Sequence, residues 1–328
     1  MSVASCQLFV VNPTTGFPLF CHCGQRTTNH EQFTCIRGKY MNTKVRKIQN
    51  IIQPQAVLEG AGVKLIRSIA TRDLDHVDPF LLFDHFGSKN PADYTKGFPM
   101  HPHRGIETVT YMIRGRVNHK DSIGNSGSIT DGDVQWMTAG RGIMHEEMPQ
   151  RIDGEMVGFQ LWVNLPARLK MTRPRYQNIT SAQIPEIRRK GGGKIRVIAG
   201  KVDGVSGPVK EIVAEPTYLD IFIPPGSSFS QTVERNYTAI AYVFEGAGFF
   251  EAVATDAEVS IAHPRLIVFD DGDLVKVRAS DQGVRFLLVS GKSLNEPIAR
   301  YGPFVMNTRA EIEQTLEDLK NGTFIKED

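Results

Sequence analysis

From residue 62 onward, short apolar runs alternate with turn residues. The runs at 63–66, 109–113, 159–163, 194–199, 218–223, 239–244, 266–269 and 286–289 are rich in Val, Ile, Phe and Tyr, and each is bounded by Gly, Pro, Asp or Asn. Runs of that length, at that spacing, describe the strands of an all-β sandwich or barrel. A helical period appears only near the end. Thr308 and Glu311 form a capping box, Ile312, Leu316 and Leu319 fall on one face, and Gly322 offers a left-handed stop. The pattern predicts an all-β chain with a short C-terminal α-helix that caps a sheet.

The strand text repeats once. Thr110-Tyr-Met-Ile-Arg-Gly115 is echoed by Ala241-Tyr-Val-Phe-Glu-Gly246, Asp131-Gly-Asp-Val134 by Asp271-Gly-Asp-Leu274, and Gly158-Phe-Gln-Leu-Trp162 by Gly283-Val-Arg-Phe-Leu287. The order is kept while the loops differ in length, as expected of two related β domains in tandem. Residues 165–194, with Pro166, Pro174, Pro185 and Gly191-Gly-Gly193, read as the connector. The division expected is an N-terminal extension over 1–41, a first domain over 42–178 and a second over 179–328. The extension is expected to be poorly ordered or not native, with Met41 as the effective start.

Composition narrows the class. The chain has 328 residues, of which 41% are hydrophobic and 23% charged, the range of ordinary globular domains. The 38 basic residues exceed the 36 acidic ones by an amount that lies wholly in the first 40 residues, where Arg26, Arg37 and Lys39 face Glu31 alone. The remainder is balanced, which argues against direct nucleic-acid binding, since phosphate neutralisation needs a basic excess. All four cysteines (Cys6, Cys21, Cys23 and Cys35) also lie in that extension, so no disulfide framework holds the domains. Cys21-His22-Cys23 is spaced too closely for the usual structural zinc pairing. No stretch reaches the roughly eighteen apolar residues of a membrane span, and no signal peptide is evident. A cytoplasmic location is the expectation, or a nuclear one in a eukaryotic host.

Candidate chemistry concentrates in two short clusters. In an extended His101-Pro-His103, alternation puts both imidazoles on one face and Pro102 on the other. In His145-Glu146-Glu147 the same parity joins His145 to Glu147 and turns Glu146 outward. Two antiparallel strands facing into one barrel would then present three imidazoles and one carboxylate. Such a set suits a divalent transition metal, and four protein ligands on an octahedral ion leave two positions for chemistry. The second domain has one histidine, His263, and nothing like either pair.

These residues resemble a known family. His101-Pro-His-Arg-Gly-Ile-Glu107 with Gly115 is similar to the first cupin motif, and Gly132-Asp133 through Gly140 to His145 to the second. Thr138 stands where cupins usually have proline, and His145 comes two residues late. Those departures match the pirin branch, as do Asp78-Pro-Phe-Leu-Leu-Phe-Asp84, Asp133-Val-Gln-Trp-Met-Thr-Ala-Gly-Arg-Gly142, Leu161-Trp-Val-Asn164 and Gly302-Pro-Phe-Val-Met-Asn-Thr308. The resemblance spans about residues 44–322. It implies a bicupin: two jelly-roll β-barrels in tandem, with metal only in the first. It also implies His101, His103, His145 and Glu147 as the metal ligands. Glu107 is not a ligand in pirins and reads as a residue supporting the site from behind or as a structural one.

The resemblance further implies one divalent metal, Fe(II) first, with Ni, Mn or Cu as alternatives. The expected activity is that of a quercetinase, which opens flavonols with O2 and releases CO, with Glu147 as the base for the acidic 3-hydroxyl. The partners are then a flavonol-like aromatic substrate and O2. The competing expectation, drawn from nuclear and bacterial pirins, is a metal- and redox-dependent regulator that binds transcription factors or metabolic enzymes.

Overall fold

The computed structural model describes residues 43–255 and 257–326, together with the backbone of Val10–Val11 paired to Pro18–Leu19. Apart from those four positions, the extension over 1–41, its four cysteines included, lies outside the described residues. Residues 43–328 form one compact unit.

The eight apolar runs all fall within strands, and every ladder between them is antiparallel. The first half builds a seven-stranded sheet in the order Arg175–Ile179, Val134–Thr138, Ile106–Arg114, Val157–Asn164, Phe80–Phe86, Val63–Ile69, Gln55–Glu59. A four-stranded sheet closes the first barrel: Ser126–Ile129, Val117–Asp121, Ile143–Pro149, Phe98–His103. The second half curls one large sheet around its two long strands, Tyr237–Glu251 and Leu274–Lys292. The architecture is that of two cupin barrels, as the motifs implied.

The central strands carry apolar side chains on both faces because both faces are covered. In Ile106–Arg114, Val109 and Tyr111 point to a core shared by the two barrels, where they meet Tyr218, Ile240, Tyr242 and Leu287 from the second. The Tyr111 and Tyr218 rings lie 6.2 Å apart, and Phe159 lies 5.7 Å from Tyr242. Tyr111 and Tyr242 are the paired tyrosines of the internal echo, so the repeat marks equivalent places in the two sheets. Ala241, the echo of Thr110, faces a barrel interior filled by apolar side chains. There Phe250 packs 6.2 Å from Phe269 and 6.0 Å from Phe286.

The fold departs from the sequence reading in three places. Ile48–Ile52, placed in the first domain, pairs with Arg265–Phe269 and extends the second sheet. Within the connector, Arg175–Ile179 is an edge strand of the first sheet, paired to Val134–Thr138. Its polar residues leave no apolar run to betray it. The third departure is the C-terminal segment, which crosses back to the first barrel. Phe304–Met306 lies beside Arg104, and the helix Arg309–Lys320, capped by Thr308 and Glu311 as expected, follows it. Ile312 and Thr315 are buried, whereas Leu319 is exposed.

Arg104 and Lys170 clamp this segment. The Arg104 guanidinium, fully buried, donates to the Arg141 carbonyl at 2.6 Å, to Thr315 Oγ1 at 3.1 Å and to Asp318 Oδ2 at 2.7 Å. Gly105 allows the close approach: its φ is +79°, and a Cβ there would lie 2.0 Å from the Val305 carbonyl oxygen. Lys170 Nζ, also buried, donates to the carbonyls of Val305 and Gly105 at 2.8 and 2.9 Å and to Asn164 Oδ1 at 2.6 Å.

Burial lowers the Lys170 pKa to about 7, against the opposing pull of Glu296 and Glu311. An unfolded lysine titrates near ~10.4. Between these values the unfolded chain holds a proton that the folded chain lacks, so stability rises with pH across about 7 to ~10.4. We expect urea denaturation to show wild type gaining stability from pH 7 to 9 relative to Lys170→Met. The variant itself should be weaker by about 1–3 kcal/mol at pH 7, from acceptors left without a donor.

Candidate metal centre

Phe98–His103 and Ile143–Pro149 are neighbouring antiparallel strands, and His101 stands directly opposite His145. Ile143–Pro149 alternates cleanly: Ile143, His145, Glu147 and Pro149 are buried, while Met144, Glu146 and Met148 are only partly covered. Polar ligand types thus occupy positions that would otherwise fill a core. His103 sits on the same face as His101, and between them Pro102 faces away from the site. Arg104, one residue on, reaches back to the clamp.

The three imidazoles converge. One ring nitrogen from each of His101, His103 and His145 lies within 4.8 Å of the others, the one such cluster among the described residues. Ring centroids are 4.4 Å apart for His101 and His145, 4.9 Å for His101 and His103, and 5.1 Å for His103 and His145. Trp162 packs edge-on against His103 at 5.1 Å.

The proton inventory shows what this cluster lacks. His101 Nδ1 lies 2.9 Å from the Pro99 carbonyl oxygen and donates to it, so Nε2 is the nitrogen left for a further partner. That Nε2 faces His103 Nε2 at 3.1 Å. If His103 donates from Nε2, its buried Nδ1 is left without a partner. Among the described residues His145 Nε2, which is buried, has no hydrogen-bond partner, while the Tyr176 hydroxyl lies 3.5 Å from its Nδ1. Buried polar atoms are rarely left unanswered. A cation would answer these nitrogens, and the donor set fits one. Burial, then repulsion from His101, pushes the His103 pKa down to about 3. Burial and the neighbouring histidines hold His145 well below its ordinary value. Both rings are therefore neutral near pH 7, the form that binds metal.

Glu147 lines the same cavity, but its carboxylate lies outside the three-nitrogen cluster. A register shift after His145 sets it opposite Phe98 on one side and His119 on the other. Burial raises its pKa, opposed by His101 and by the Thr110 hydrogen bond. Thr110 Oγ1 lies 3.1 Å from Glu147 Oε1 and 2.6 Å from Gln160 Oε1. One hydroxyl proton cannot serve both. With the Gln160 amide turned over, its nitrogen donates to Thr110, and Thr110 donates to Glu147.

Glu107 is elsewhere. It lies on the opposite face of its strand from Thr110, fully buried, and accepts from Thr138 Oγ1 at 2.8 Å. It is not part of the imidazole cluster. Strand parity from Glu147 and His145 does reach further residues that sequence reasoning passed over. His119 and Tyr176 stack at 5.7 Å behind His145, and Thr110 and Gln160 hold Glu147. Trp162 was visible only as part of a motif.

The cavity beside the imidazoles encloses about 390 Å³. Its apolar wall comes from Val63, Leu65, Leu82, Phe86, Phe98 and Trp162. Its volume is that of a site for a small organic ligand.

Residues 62–163 match the family model described as Pirin, and residues 218–325 the one described as Pirin C-terminal cupin domain. The chain belongs to the pirin family. A pirin-like protein of Caulobacter vibrioides is 41% identical over 286 residues, covering 85% of this chain and 99% of the relative. Human pirin is 41% identical over 266 residues, covering 80% and 88%. A crystal structure of quercetin 2,3-dioxygenase from Acinetobacter baumannii is 34% identical with a TM-score of 0.78, covering 86% of this chain and 99% of the other. The first pirin segment contains the whole imidazole cluster with Glu147. The second contains the part of the cavity wall formed by Arg300, Gly302 and Pro303.

Proposed function

We propose that this pirin is a metal-dependent dioxygenase that opens flavonols such as quercetin with O2 and releases CO. The observation that carries the reading is the convergence of three imidazoles, with unanswered buried nitrogens on His103 and His145, beside a cavity that also presents a buried carboxylate. The quercetin 2,3-dioxygenase of Acinetobacter baumannii, similar over most of both chains, supports it.

In this reading His101, His103 and His145 hold one divalent transition metal, with Glu147 as the fourth ligand. Fe(II) is the first candidate, and Ni, Mn and Cu are the others. When bound, the metal supplies Lewis acidity and a template for both reactants. The protein's own groups do the rest. The apolar wall receives the flavonol rings and excludes water. Glu147, its basicity raised by burial, takes the proton of the 3-hydroxyl. Thr110, itself held by Gln160, donates to Glu147 Oε1 and fixes the carboxylate at the cavity wall.

The test is anaerobic purification, Fe(II) loading and oxygen uptake with quercetin. Uptake that requires both metal and quercetin is the expected result. Stoichiometric metal with no uptake would overturn the reading and favour a regulator whose metal controls a protein-binding surface.

A further inference from the structure

Two guanidinium groups line the cavity, and they differ in how they are answered. Each nitrogen of Arg67 has a carboxylate partner: the guanidinium donates to both Asp84 oxygens at 2.7 Å and to Glu59 Oε1 at 2.7 Å. Among the described residues, Arg300 has no carboxylate partner. It donates to the Leu81 carbonyl at 3.1 Å, more loosely to the Gly302 carbonyl at 3.5 Å, and its second terminal nitrogen makes no hydrogen bond. Arg300 is solvent-exposed, at the rim of the cavity; partial desolvation, and then the positive charge of Arg67, hold its pKa below the ordinary value. An incoming anion would offset the charge of Arg67.

Position adds the second observation. The Arg300 guanidinium carbon lies 5.2 Å from the centre of the Trp162 ring, and Trp162 packs edge-on against His103 at 5.1 Å. Trp162 therefore separates the arginine from the imidazole cluster by no more than about 10 Å between the guanidinium and the His103 ring. One small aromatic molecule spans such a gap. Arg300 arrives on the C-terminal strand Ala299–Tyr301, so the second domain supplies a charged group to the first domain's cavity.

We propose that Arg300 binds an anionic substituent at the end of the substrate remote from the histidines, making this chain selective for enolisable aromatic acids over neutral flavonols. The inference rests on the dioxygenase reading for the placement of the chelating end. It adds the charge at the other end, which that reading leaves open.

The matched probes are 3-hydroxyflavone and 3-hydroxyflavone-4′-carboxylate, titrated anaerobically into Fe(II)-loaded protein and followed by flavonol absorbance. A hydrogen-bonded charge pair predicts about tenfold to a hundredfold tighter binding of the carboxylate. In Arg300→Gln the ratio of the two dissociation constants should collapse toward one. In Arg300→Lys it should survive in part, and in wild type it should shrink with added salt. Equal affinities in wild type, or a ratio undiminished in Arg300→Gln, would overturn the proposal alone. Binding of neither flavonol would overturn the dioxygenase reading and the proposal together.

Discussion

His103→Ala is expected to abolish metal binding and flavonol turnover while leaving the apoprotein folded. His103 supplies one of only three converging ring nitrogens, and its ring packs between Trp162 and the other two imidazoles. Loss of a partner behind a ligand costs about 10–100-fold in affinity or activity, and loss of a ligand should exceed that. An ordinary buried side chain would also lose stability on truncation. Here the apoprotein is relieved of a nitrogen with no partner and of two imidazole nitrogens facing each other at 3.1 Å. The two effects oppose, so the apoprotein Tm should move by only a few degrees. Wild type should gain stability on adding Fe(II), because a ligand bound only by the folded state stabilises it by mass action. The variant should gain none. A metal-dependent Tm shift that persists in His103→Ala would remove His103 from the site.

Glu147→Gln should separate binding from chemistry. Glutamine keeps the shape and an oxygen that can accept from Thr110, but it takes no proton from a 3-hydroxyl. Loss of a general base costs about 10²–10⁴-fold in turnover. Metal content should fall less than in the histidine variant, since the three-nitrogen cluster is intact. Under single-turnover conditions, bound quercetin should stay in its neutral absorption form instead of the flavonolate form. A variant that still deprotonates bound quercetin would remove Glu147 as the base.

The apolar half of this molecule was readable from sequence, and the reasons are local. Strands such as Ile106–Arg114 and Val157–Asn164 announce themselves because both faces are covered. The candidate site was legible for a different reason. His101, His103, His145 and Glu147 occupy alternate positions, and alternation alone puts each pair on one face. What escaped reading depends on contacts distant in the chain. Nothing local in Ile48–Ile52 directs it to pair with Arg265–Phe269, and the return of residues 304–326 to the first barrel rests on Arg104 and Lys170. The edge strand Arg175–Ile179 lacked an apolar run. Glu107 sat within a metal motif, but parity with Thr110 sends it to the opposite face. Arg300 was invisible as a cavity residue, because it lies more than 150 positions beyond the three histidines.

The most direct test of the central claim is the ratio of CO released to O2 consumed when Fe(II)-loaded protein meets quercetin in a sealed vessel. A ratio of one to one, with neither gas exchanged by His103→Ala, is the result expected if the three imidazoles hold the metal of a flavonol dioxygenase. Oxygen consumed without CO, or equal exchange by the variant, would contradict it.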